Sequence, residues 1–489
     1  MRTLPVALLA LAALFAGCAQ SSTTSSDGGA VGGNLPLGHN LTVGPGEGPP
    51  LLAGPQLWKD PQNMPHPKWN WPTLSNPPAG PNVPTWWVPF NATELPAHIS
   101  GLKHVARAGG NVTQGAGIAL FGSLAVVPED SQFAHIVSIA DPVHPSQLSQ
   151  IDSSGRGAAI IAYPNGRLVT AIATSPGFDT IDITDPTQPE MLNQTAIPVQ
   201  GGHKLGVVPG TPILYNAGSS GGGAGGSARP GPCNVSVTMC VGYTEIYDLT
   251  DPENPRFVEN FQNGVSCHHI FFWNALDGSK QRAICAGMQY TQIWDTADPL
   301  KPTVVVSLPV HLGVSGTPSA MVEIEDFSHS AGINLKGNIL YVGDENCGGS
   351  SATCYVGGPG SACGVSTATV GGQAGAPLGA TWFYDISDET NPAPLGYFAP
   401  PRDATHEPSR SCTTHHGRIV PDKEGRDLLA MSFYQDGAIL IDFTDIGAGK
   451  LPTAIAEFND GSDTWETWYA GGYLFLGDLN NGLDVVGFT

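Results

Sequence analysis

Charge is what this sequence has least of. Charged residues make up 13% of the 489-residue chain, about half the usual share. Basic residues are the scarcer sign, with 20 Lys and Arg against 42 Asp and Glu and a net charge of −22. That balance argues against nucleic acid and anionic lipid as partners, and it leaves cations, small molecules, proteins and glycans. No heptads and no long amphipathic helical runs occur, which excludes a coiled coil or helical bundle. Beyond the leader, no stretch is long and apolar enough to span a bilayer. The Gly-rich run Gly218–Gly226 lacks a following Lys-Ser/Thr, so it reads as a flexible insert and not as a phosphate loop. No serine elbow stands in a strand–turn–helix context.

What is abundant is turn chemistry, with 63 Gly and 43 Pro. Hydrophobic residues, at 41%, suffice for a sizeable core. Residues 1–17 place one Arg ahead of an apolar run of secretory length, predicting a signal peptide. The run ends in Phe15-Ala16-Gly17-Cys18. These residues resemble the lipobox of bacterial lipoproteins, which implies cleavage before Cys18 and its diacylation. Ala19 after the Cys implies, by the same resemblance, an outer-membrane lipoprotein of the cell envelope. Residues 18–43 read as a disordered, lipid-anchored tether. Residues 44–94 form a Pro- and Trp-rich segment, part of which is expected to pack on the domain surface. The remaining eight Cys suit an oxidising compartment, with Cys267–Cys285 expected on neighbouring strands of one hairpin. Cys233–Cys240, Cys347–Cys354 and Cys363–Cys412 are the other expected pairs.

The repeat decides the fold. Ile181 to Pro189 reads IDITDPTQP, and it recurs as YDLTDPENP from Tyr247 and WDTADPLKP from Trp294. Degenerate copies start at Val137, Tyr384 and Ile441, and a truncated one at Val486. The first-Asp column is Ser138, Asp182, Asp248, Asp295, Asp385, Asp442 and Gly487. Its base period is about 45 residues, with inserts in the third, fifth and sixth units. Each unit supplies alternating apolar strands, two Asp that can cap the turn, and a Pro that fixes it. Four antiparallel strands per unit is a propeller blade, so an all-β, seven-bladed β-propeller is predicted over residues 95–489. The last unit lacks its outer strand, and the segment Leu95–Val105 is expected to supply it and close the ring. The units resemble the LVIVD-repeat propellers of bacteria and archaea, a likeness informative about architecture and nearly silent on activity.

Aligning the first strand of each unit gives a second column: Gln114, Arg156, His203, His268, His329, His415 and Glu466. Four consecutive units carry His there, and His268-His269 and His415-His416 are doublets at matching positions. Imidazoles converging on the propeller axis can ligate Fe, Cu or Zn, with Glu466, Glu323, Glu325 or Asp326 as oxygen donors or imidazole acceptors. The alternative is that these His simply hydrogen-bond one another, water and backbone. The arrangement is similar to carotenoid oxygenases, which hold iron with axial His, and to the selenium-binding and methanethiol oxidase family, which uses His for copper. That similarity implies a metal-dependent oxidoreductase, with Glu466 or Arg156 orienting substrate. The competing function is a non-catalytic scaffold that binds protein or glycan. A monomer is expected. His66, His98, His104, His135, His144, His311 and His406 fall off the column and read as surface or loop residues. The Asx-rich stretches Asp460–Asp463 and Asp478–Gly482 read as turns.

Overall fold

In the computed structural model, the described residues are 101–489 without 175–176, 196–201, 219–243, 262–266, 276, 288–289, 310–327, 346–363, 366–368, 371–372, 375–376, 400–412 and 423. His66, Lys68, Trp69, Trp71 and Ile99 precede them, and all belong to one compact unit. Cys18, the leader, the tether and three of the expected Cys pairs lie outside the described residues.

Seven four-stranded antiparallel sheets form seven blades. Their innermost strands are Ala119–Phe121, Gly157–Ala162, Gly202–Val207, His269–Asn274, Ser328–Ile333, Gly417–Val420 and Thr464–Ala470. The described residues contain no α-helix, only a 3-10 turn at Ile446–Ala448. The repeat explains the sheet edges. The first Asp of each motif ends a third strand, and its carboxylate accepts the backbone N–H two residues on. Asp182 binds Thr184 at 2.8 Å, Asp295 binds Ala297 at 2.8 Å and Asp385 binds Ser387 at 2.8 Å. The second Asp repeats the device, as in Asp185 to Thr187 at 3.0 Å and Asp388 to Thr390 at 3.0 Å. These Asx turns direct the chain into the outer strand. Asp478 acts likewise, accepting the amides of Asn480 at 2.8 Å and Asn481 at 2.9 Å, so the Asx-rich stretch there is a turn.

A blade is apolar on both faces and can hide them only against its neighbours. Seven buried clusters do this, one between each adjacent pair. Phe271, Trp273 and Ile284 of the fourth blade meet Leu340 and Trp382 of the fifth. The cluster that closes the circle joins Phe475 and Val485 of the last blade to Leu120 and Val127 of the first. The last blade is completed from the N-terminal side, where Leu102–Arg107 pairs with Gly482–Phe488 in the register Leu102↔Phe488 to Arg107↔Asp484. Ile99, just before it, is buried between the last two blades. Cys267 and Cys285 form the expected disulfide within the fourth blade's first hairpin.

Two histidines expected at the surface are buried. His66 Nε2 donates to the Thr296 carbonyl at 3.1 Å, and the His66 amide donates to Pro209 O at 2.9 Å. Trp71 lies 5.0 Å from the Tyr163 ring, so this Pro/Trp-rich stretch does pack on the blades. His135 is fully buried, donating from Nε2 to Glu129 at 2.8 Å and accepting from Gln147 at 3.1 Å. His66 is buried where the N-terminal segment packs on the blades and His135 within a blade's strand, and their local sequence gave no sign of either. His144 is exposed and His104 is half-buried, as expected. His98, His311 and His406 lie outside the described residues.

The closing pair is locked by the buried Asp484 carboxylate, which accepts from Arg107 Nε at 2.7 Å, Arg107 Nη2 at 3.1 Å and His104 Nε2 at 3.0 Å. Arg107→Ala strips a buried carboxylate of its bidentate partner. Because the guanidinium is partly solvated, a loss of about 1–2 kcal/mol is expected. Urea unfolding measures it, and an unchanged midpoint would show that closure does not lean on this pair.

Candidate metal centre

The inner strands of five blades begin at a β-bulge, where one residue stands outside the regular pairing. Pairing skips His203 between Gly202 and Lys204, His329 between Ser328 and Ser330, and Trp465 between Thr464 and Glu466. His415 and His416 share one partner, since the His415 amide donates to Ser432 O while Ser432 N donates to His416 O. His268 stands the same way opposite Ala286, beside the paired His269. One tier around the channel is therefore His203, His268, His329, His415 and Trp465. The tier beside it is Lys204, His269, Ser330, His416 and Glu466.

This corrects the aligned column at two places. Trp465, not Glu466, is the equivalent of the four His, because Trp465 is the residue that pairing skips in the last blade, while Glu466 pairs with Gly477. Gln114 is exposed, and buried Ala116 packs against Trp465 and Tyr434. In the last blade the apolar Ala470 stands five residues after Trp465, where the other blades place their apolar residue four after the His, and that spacing hid the match.

The four predicted imidazoles do converge. Ring centroids lie 4.1 Å apart for His203–His268, 4.4 Å for His268–His329 and 4.1 Å for His329–His415. The doublet partners join them, with His416 at 4.6 Å from His329 and His269 at 4.7 Å from His416. All six rings are at most 5% exposed. Among the described residues, ligand atoms within 4.8 Å of one another form two buried sets here, His329–His415–His416 and His268–His329–Glu345. His203 stands outside both. Glu345 was not anticipated. It follows Asp344 at the channel end of the fifth blade's second strand, and the readable signal was an acid at the inner end of that strand. Glu323, Glu325 and Asp326 lie outside the described residues.

Burial, first of all, pushes His203, His269, His329, His415 and His416 well below the usual imidazole range, and neighbouring rings and cations add to it. They are neutral at pH 7. His415 Nδ1 lies within hydrogen-bond reach of the Trp465 carbonyl, so it carries the proton and leaves a lone pair on Nε2. That lone pair is 3.6 Å from Glu345 Oε1, and His329 Nε2 is 3.4 Å from Oε2. Tyr434 donates its hydroxyl to Glu345 Oε1, and burial beside that carboxylate holds its pKa well above the usual phenol value. Tyr434 is the one described non-Gly residue at positive φ, at 48°. That conformation costs of order 1–2 kcal/mol and places the ring 4.7 Å from His415. The Trp465 ring also packs against His415, tilted, with centroids 4.2 Å apart.

The two residues expected to orient substrate lie elsewhere. Arg156 is at the channel mouth, 5.7 Å over Trp465, with Nε and Nη2 both 2.6 Å from the Asp130 carboxylate. Glu466 is fully buried and pairs with Lys204 Nζ, while its other oxygen accepts from Trp468 Nε1 at 3.0 Å and lies 3.5 Å from Arg418. Burial lowers the Lys204 amine and Glu466 opposes that. Two glycines make room for this pair. A Cβ on Gly117 would stand 2.5 Å from Lys204 Nζ, and one on Gly157 would stand 2.5 Å from the His203 carbonyl.

Fold and site together define a seven-bladed β-propeller with a histidine-lined channel. The LVIVD repeat family model matches residues 461–487, so the last blade carries an LVIVD repeat. No curated protein matches the sequence. Among solved structures, RRP9 WD40 repeats align at 11% identity and a TM-score of 0.49, over 81% of this chain and 100% of that one. The structure of U3-55K aligns at 10% identity and 0.48, over 80% and 100%.

The neutral His cluster sets a pH dependence. Each of the five lowered His binds a proton in the unfolded chain near pH 6.5 but not in the folded one. The unfolded state therefore holds more protons below that value, and stability falls as pH falls. Each such His adds a slope of at most about 1.4 kcal/mol per pH unit. Stability is expected to be flat from pH 8 to 7 and to drop steeply from 6.5 to 5, with a shallower drop in His416→Gln. Equal unfolding midpoints at pH 7 and 5 would contradict buried neutral imidazoles.

Proposed function

We propose that the channel binds one transition metal ion and that the protein is an exported metalloprotein of oxidoreductase type. One observation carries the metal reading: the His415 Nε2 lone pair faces the Glu345 carboxylate at 3.6 Å, two acceptors with a cation's place between them. A proton there would charge a fully buried imidazole among other rings, which burial opposes. A metal ion removes that conflict and accepts the lone pairs of His329 and His416 as well. Three or four imidazoles and one carboxylate suit Fe, Cu or Zn. His268, His329, His415, His416 and Glu345 are the ligands favoured by geometry, with His203 beside them.

When bound, the metal supplies Lewis-acid or one-electron chemistry to a small molecule entering the channel. The chain's own residues do the rest. The Trp465 carbonyl orients His415, and Tyr434 holds Glu345 by donating to it, as outer partners of metal sites commonly do. Buried Trp465 and Tyr434 flank His415 and exclude water from it. An oxidoreductase reading rests on these two oxidisable rings beside the His cluster. Arg156 and Asp130, partly exposed, frame the mouth and fix the Trp465 face. Elemental analysis of full-length protein purified without chelator is expected to give close to one metal per chain. His329→Ala and His416→Ala are expected to lower occupancy at least tenfold while blade stability changes far less. Metal-free protein would leave the non-catalytic scaffold, binding protein or glycan through the blade faces, as the better description.

Export and lipid anchoring complete the proposal, supported by the apolar leader that ends at Cys18 and the polar tether after it. No helix among the described residues is long and apolar enough to cross a membrane. Cys18→Ser is expected to move the protein from the membrane fraction to the soluble fraction. A variant that stays with the membrane would refute the anchor.

A further inference from the structure

Beside the histidine cluster and sharing His269 with it, the inner strands line a partly open cavity of about 100 Å³. Its polar end is made by Lys204, Arg418, His269 and Glu466. Its walls are apolar, including Phe121, Ile270, Phe272 and Trp468. Charge does not balance at the polar end. Lys204 and Arg418 are 4% and 7% exposed, and Glu466, the one acid among the lining residues, is fully buried. Two buried basic side chains thus share a single carboxylate, and a buried charge without a counter-charge is costly.

The hydrogen bonding points the same way. Arg418 Nη1 donates to the Gly417 carbonyl at 3.1 Å, and Nη2 reaches Glu466 only at 3.5 Å. Arg418 Nε has no hydrogen-bond partner, nor does Nδ1 of His269. The guanidinium is fixed by stacking, with its carbon 4.1 Å above the Trp468 ring and 5.7 Å from Phe271. A planar fork held rigid with an idle Nε–H suits a planar two-oxygen anion.

We propose that this cavity is a binding site for a short-chain monocarboxylate, its two oxygens on Arg418 and Lys204 and its alkyl chain against the aromatic walls. The size sets the class. A cavity of about 150 Å³ holds benzene, so one of about 100 Å³ takes a chain of roughly two to four carbons. The carboxylate supplies the missing negative charge, and the apolar walls favour a short alkyl chain over a second charge. The site does not depend on the metal reading, since none of its four polar residues belongs to the favoured ligand set.

Isothermal titration calorimetry of the full-length protein tests it. Butyrate is expected to bind one-to-one with a Kd of about 1 mM or tighter. Affinity should rise from acetate to butyrate and collapse at hexanoate, while 1-butanol should give no heat. Arg418→Met should weaken butyrate at least tenfold with an unchanged circular dichroism spectrum. The acid series on the wild type decides the matter even where that variant fails to fold. No saturable heat with butyrate, an unchanged Kd in Arg418→Met, or affinity still climbing at hexanoate overturns the proposal. Nitrate binding as tightly as butyrate overturns the alkyl-carboxylate class in favour of an inorganic-anion site. His329→Ala, expected to lose metal, should keep butyrate affinity within about twofold. Loss of butyrate binding there would put the carboxylate on the metal instead and overturn this site.

Discussion

Every blade here has two apolar faces and no way to bury either alone, and that constraint governs the whole molecule. Seven inter-blade clusters satisfy it only if the seventh blade reaches the first, which Phe475 and Val485 do against Leu120 and Val127. The ring in turn fixes how close the inner strands come at the axis. With that spacing set by side-chain packing, a bulged residue from each blade can approach its neighbours to within about one ring diameter. The His203–His268–His329–His415 sequence, stepping 4.1–4.4 Å from blade to blade, is a consequence of ring geometry.

Closing the ring also creates an electrostatic problem. A channel lined by rigid strands admits little water, so polar groups that point into it must satisfy one another. The molecule solves this differently in two adjacent layers. In one, imidazoles stay neutral and gather around Glu345, itself held by Tyr434. In the other, Lys204, Arg418 and Glu466 meet, and Gly117 and Gly157 supply the space their approach needs. The strained Tyr434 backbone fits this picture, since packing against Ala116 and Trp465 holds it where its hydroxyl meets Glu345.

Much of this architecture was legible in the chain. The Asp-x-x-Asp-Pro unit is a local device, its carboxylates capping amides two residues away, so it announces itself wherever it occurs. Seven copies gave the blade number, and the truncated copy at Val486 pointed to the N-terminal strand that completes it. The Cys267–Cys285 pairing followed from hairpin spacing. The histidine column was visible because four inner strands carry the same residue at the same step, and the two doublets marked matching positions.

The sequence by itself therefore determined the strands, their turns, the closed ring and the convergence of four histidines, because each depends on short-range periodicity or on simple repetition. Only the tertiary structure decided which side chains share the axis. The strand register put Trp465 in line with the four His and Glu466 one residue on, where its carboxylate meets Lys204. Glu345 and Tyr434 come from outside the inner strands, on segments whose approach is set by blade packing and not by any local pattern. The burial of His66 likewise arises from segments that meet across a long separation, its ring bonding Thr296 230 residues away. Local chemistry writes the blade, but the closing of the ring chooses what meets in its channel.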